Sequence, residues 1–116
     1  MKALIINPYE KKIAEAIINP SFMDIRLMLE YNTFDIIDYG TAHKLITNYI
    51  GCDGSNFRTY FKFQGVVYGD KGLIVNKKYI EAGEGHDVTV SIEDVEKHIE
   101  FMPDTHKEIK QFDFDI

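Results

Sequence analysis

Short apolar runs that stop at turn residues set the pattern of this chain. Residues 2–7, Lys-Ala-Leu-Ile-Ile-Asn, are nearly all apolar and end at Asn7-Pro8-Tyr9-Glu10. Proline cannot donate to a sheet ladder and asparagine tolerates turn geometry, so this run reads as a buried strand closed by a turn. Residues 12–18 read as the returning strand, giving an N-terminal antiparallel β-hairpin with a loop of about four residues. The phrase Ile-Ile-Asn-Pro recurs at Ile17-Ile18-Asn19-Pro20, where it ends the second strand. Ser21 then stands as a helix N-cap, with Asp24 three residues on. Phe22, Ile25, Met28 and Leu29 share one helical face, which predicts an amphipathic helix over about 21–31.

A run of strands follows. Residues 33–39 carry Phe34, Ile36 and Ile37 and stop at Gly40; residues 44–50 alternate Leu45, Thr47 and Tyr49 with Lys44, Ile46 and Asn48. Gly51-Cys52-Asp53-Gly54-Ser55-Asn56 is a loop by composition. Residues 57–63 alternate cleanly, with Phe57, Thr59, Phe61 and Phe63 on a core face and Arg58, Tyr60 and Lys62 on the other. Gly65 and Gly69-Asp70 bracket Val66-Val67-Tyr68. Residues 71–76, Lys-Gly-Leu-Ile-Val-Asn, then echo the opening strand. No helix spacing repeats with the echo, so it reads as two central strands with similar demands, a duplicated unit being the other reading. Residues 81–87 are a Gly-rich acidic loop, and Val88-Thr89-Val90 leads into Ser91, an N-cap with Asp94 at the matching spacing. Ile92, Val95, Ile99 and Met102 predict a second amphipathic helix over about 92–102, closed by Pro103.

Helices do not alternate with strands in this order. The pattern therefore predicts an α+β fold with a mainly antiparallel sheet, one domain over residues 1–102, and an acidic-aromatic tail over 103–116. The tail ends Phe112-Asp113-Phe114-Asp115-Ile116, a strict period of two suited to an edge strand or to docking on a partner.

Composition narrows the class. A chain of 116 residues buries roughly two-thirds of its unfolded surface, enough to fold without metal or disulfide. The net charge of −6 opposes unspecific attraction to phosphate backbones, yet lacks the dense line of negative charge a DNA mimic needs. Cys52 is the single cysteine, which excludes an intramolecular disulfide or thiolate cluster and suits a reducing compartment. No stretch approaches the roughly 18 apolar residues that span a bilayer, and the expected location is the cytoplasm, with no membrane partner.

Candidate chemistry is sparse. Cys52 has His43 as its nearest base in sequence, the minimum for a small hydrolase or transferase, but Gly-Cys-Asp-Gly is also an ordinary hairpin loop. Glu84, His86 and Asp87 cluster without the ligand set of a zinc site or the spacing of a calcium loop. His98 and His106 flank Pro103, with His98 expected on the polar side of the second helix. Gly83-Glu84-Gly85 lacks the Gly-Lys-(Ser/Thr) end of a phosphate loop. No catalytic residue, metal site or cofactor is expected. Arg58, Tyr60 and Lys62 place two cations around an aromatic on one strand face, a surface that can stack a base and neutralise phosphate, or simply be solvated. With Phe112 and Phe114 they are the candidate partner-binding residues. The 7 Tyr and 8 Phe supply the aromatic surface that interfaces use.

Met1-Lys2-Ala3-Leu4-Ile5-Ile6-Asn7-Pro8, Phe34-Asp35-Ile36-Ile37, Phe61-Lys62-Phe63-Gln64-Gly65, Asp70-Lys71-Gly72-Leu73-Ile74-Val75 and Ile92-Glu93-Asp94-Val95 occur in an order that resembles a family of small tailed-phage and prophage proteins of unknown function. The resemblance covers about residues 1–102. Gly51-Cys52-Asp53-Gly54 departs from the acidic turn often found there. It implies a phage-type accessory protein in the bacterial host cytoplasm, without enzymatic activity, that binds and inhibits or sequesters a host or defence component, either a protein or a small nucleotide signal. The alternative is a single-stranded nucleic-acid-binding protein using the Arg58, Tyr60 and Lys62 face. A homodimer through an edge strand is a further expectation.

Overall fold

The computed structural model describes residues 1–30, 34–48 and 59–102. In chain order these form β1 (Lys2–Asn7), β2 (Lys12–Ile17), α1 (Phe22–Leu29), β3 (Phe34–Tyr39), β4 (His43–Asn48), β5 (Tyr60–Phe63), β6 (Val66–Gly69), β7 (Gly72–Asn76), α2 (Lys77–Ala82), α3 (Ile92–Glu96) and β8 (Ile99–Phe101). The fold is α+β, with antiparallel sheets and the expected N-terminal hairpin. Five strands lie in the order β2-β1-β7-β4-β3 and three in the order β6-β5-β8.

The hairpin forms because its turn is satisfied locally. The Asn7 side-chain oxygen accepts the backbone N–H of Tyr9 at 3.0 Å and of Glu10 at 3.3 Å, and the register runs from Asn7↔Lys12 to Lys2↔Ile17. The echo strand β7 sits beside β1, paired at Leu4↔Ile74, Ile5↔Leu73 and Ile6↔Gly72. Both are central strands buried on both faces, which is why each reads as a continuous apolar run.

Two cores result. Leu4, Ile6, Leu45 and Ile74 face the small sheet, where Phe61, Phe63 and Tyr68 meet them. Ala3, Ile46, Leu73 and Val75 face the other way, onto Ile25 and Leu29 of α1 and Tyr79 of α2. Each fully buried Leu, Ile or Phe contributes about 1.5–3 kcal/mol relative to exposure. The five-stranded sheet is thus the middle layer, with helices on one side and the small sheet with α3 on the other.

Three expectations are corrected. The helix predicted over 92–102 is only α3, Ile92–Glu96; Ile99–Phe101 is strand β8, paired with β5 at Phe61↔Phe101, Lys62↔Glu100 and Phe63↔Ile99. Ile99 and Met102 fit a helical period, but the open edge of β5 captures this segment instead. His98 consequently lies in the turn after α3, its ring 6.3 Å from that of Tyr39, and not on a helix. Finally, α2 was unforeseen: Asn76 ends β7 and also caps this helix, accepting Lys78 N–H at 2.9 Å, and Gly83 closes it in the left-handed conformation (φ 71°). Gly83, at the start of the Gly-rich loop, is a helix cap.

Candidate functional site

Tyr60 and Lys62 project from the outer face of the small sheet, because Phe61 and Phe63 fill its inner face. Both are half-buried. Lys62 stands in register between Val67 on β6 and Glu100 on β8. Cross-strand partners share a face, so the Lys62 ammonium has a carboxylate as neighbour, which lowers the pull of this face on phosphate. Arg58, Phe112, Phe114 and Cys52 lie outside the described residues.

His43 is not poised as a free base. It is buried at the start of β4, and its Nε2 accepts the Thr89 backbone N–H at 3.0 Å. Glu84 and His86 meet at 3.0 Å, but the Asp87 carboxylate turns away to accept the Lys2 N–H at 2.7 Å. Among the described residues no three His, Cys, Asp or Glu side chains are grouped to hold a metal ion. Also among them, no helix is long and apolar enough to cross a membrane.

A cleft of about 350 Å³ runs along Tyr39, Gly40, His43, Thr89 and Asp94. The Tyr39 hydroxyl is buried without a hydrogen-bond partner among the described residues, and the ring stacks on Phe63 at 5.1 Å. Burial, then the nearby Asp94 carboxylate, push its pKa up, so the phenol stays protonated.

One apolar surface was not foreseen. Six of the eight residues of α1 are apolar, but only Ile25 and Leu29 are buried. Met23 is 61% exposed and Leu27 is 72% exposed, and Ile17 at the end of β2 reaches 77%. Ile17, Ile18, Asn19, Asp24, Leu27 and Met28 line an open groove of about 410 Å³. A helix docked on one sheet buries one stripe of three to four apolar positions per two turns, so six in eight residues was the signal in the sequence.

The groove opens beside β2, a terminal strand of its sheet among the described residues. Ile18 exchanges both backbone hydrogen bonds with Met1, at 2.9 and 2.6 Å. Antiparallel bonding alternates along a strand, so the exposed residues Glu15 and Ile17 direct their N–H and C=O groups away from β1. Among the described residues, an unpaired strand edge and an apolar groove therefore adjoin. No family model, curated protein or solved structure matches this chain.

Proposed function

We propose that this chain is a binding protein without enzymatic activity that acts by occupying a host or defence protein, as the phage-family resemblance suggests. Its docking surface is the β2 edge together with the exposed flank of α1. The observation that carries this reading is the juxtaposition of outward-directed backbone groups at the exposed residues Glu15 and Ile17 with the groove formed by Ile17, Leu27 and Met28. Large exposed apolar side chains gathered at one place mark interaction sites. The occupant that fits is an extended segment of the partner that adds as a sixth strand and places an apolar side chain in the groove. Main-chain bonds then supply affinity and the groove supplies selectivity.

Capture of a partner from bacterial lysate by the wild type, lost in Ile17→Asp and Leu27→Asp but retained in Lys62→Ala, supports the reading. Within the captured complex, hydrogen exchange should slow at the Glu15 and Ile17 amides. Equal capture by all the variants overturns it. The nucleic-acid reading makes the opposite forecast: binding to short oligonucleotides at low salt that falls steeply as salt rises and depends on Lys62.

A further inference from the structure

His43 opens β4 and is 7% exposed. Its Nε2 accepts the Thr89 N–H at 3.0 Å, with the Thr89 hydroxyl 3.3 Å away. A backbone N–H only donates, so Nε2 carries the lone pair and the ring proton resides on Nδ1. This bond is one of the ties that the described residues place on the segment joining α2 to α3. Others run from Lys2 N–H to Asp87 Oδ1, from Asn76 Nδ2 to the Asp87 carbonyl and from Val88 N–H to the Lys2 carbonyl, at 2.7, 3.0 and 3.0 Å. Together they strap the connection across the end of the five-stranded sheet and deliver Ser91 to cap α3, whose Val95 is fully buried.

We propose that His43 is an acid-sensitive latch: the neutral imidazole holds Thr89, and protonation releases Thr89 while the ties at Asp87 and Val88 stay in place. Protonation converts the acceptor into a donor, so two N–H groups face each other and a charge is left in a buried position. Among the described residues, the carboxylates around His43 have partners of their own. Tyr39 and Asn76 stand opposite His43 on β3 and β7. Lys77 reaches to Glu81 at 3.9 Å and Lys44 is engaged by Asp38. On the connecting segment His86 pairs with Glu84, and Asp87 is held by Lys2. Asp94 of α3 lines the same cleft and lies 3.9 Å from Lys97. Burial depresses the His43 pKa, because the charged ring is the form that loses water. The latch is therefore closed above the ordinary histidine value of 6.5 and opens as pH falls through the lower folded-state value.

NMR on the whole protein tests this. At pH above 7 the His43 ring nitrogens should report the Nδ1–H tautomer. On acidification the ring should titrate below 6.5. With the same midpoint, Thr89 amide protection, corrected for intrinsic exchange, should fall by about tenfold, the scale of one lost hydrogen bond. His43→Gln offers a neutral carbonyl near the Nε2 position and should keep Thr89 protected across the range. Thr89 protection that persists while the His43 ring titrates overturns the latch, as does a ring that titrates at or above 6.5. The wild-type titration decides by itself should His43→Gln fail to fold.

Discussion

Strands β1 and β7 are built from nearly the same words, Lys-Ala-Leu-Ile-Ile-Asn and Lys-Gly-Leu-Ile-Val-Asn, and lie side by side. They use those words in opposite senses. Leu4 points into the core between the sheets, whereas Leu73 points toward α1 and α2. Ala3 faces the helices and Gly72 faces Phe61. The inversion follows from the register, because Ile5↔Leu73 and Leu4↔Ile74 put the two leucines on opposite faces. A strand that is apolar on both sides is easy to recognise, yet it carries no local mark of which face is which.

The largest test of this contrast is truncation. Leu4→Ala and Leu73→Ala should each cost about 2–5 kcal/mol in urea unfolding, since both side chains are fully buried in separate cores. A negligible cost at either position breaks the two-core picture. The second test is at the first difference between the words. A Cβ on Gly72 would stand 2.9 Å from Phe61 Cζ and 3.2 Å from Leu45 Cδ1. Gly72→Ala should therefore destabilise by about 1–3 kcal/mol through overpacking. The mirror change Ala3→Gly should cost about 0.5–1 kcal/mol, mostly from backbone entropy.

Smaller and pH-limited is the contribution of His43 at the end of β4. Its folded-state pKa is depressed by burial, so this stability is complete above 6.5 and declines as pH falls through the folded value. Stability curves of wild type and His43→Gln should run parallel above that pH, and the wild type should lose stability relative to the variant below it. Smallest of all is the edge. Ile17→Asp and Leu27→Asp should change stability by no more than about 0.5 kcal/mol, because both side chains are exposed. A large loss there would mean that these residues belong to the fold and not to a docking surface.

The hairpin was legible because Asn7-Pro8 is a turn signal acting over a few residues, and α3 was announced by Ser91 accepting the Asp94 N–H at 3.1 Å. Its end was not legible: Ile99 fits a helix equally well, and only the free edge of β5, distant in sequence, draws it into a strand. The short α2 was hidden because Asn76 serves two elements at once. On the candidate face, alternation placed Tyr60 and Lys62 outward, but it could not reveal Glu100 beside Lys62. The exposed Ile17, Met23 and Leu27 were visible only as an excess of apolar residues that one helical stripe cannot bury.

Repeated Ile-Ile-Asn-Pro and its later echo thus mark where strands stop, and that much is local: turn and cap chemistry acts within three or four residues. Which face each strand buries, where β8 forms and which apolar side chains are left outside depend on partners tens of residues away. Burial is a property of the assembled layers, so those features were decided only when the sheets and helices came together.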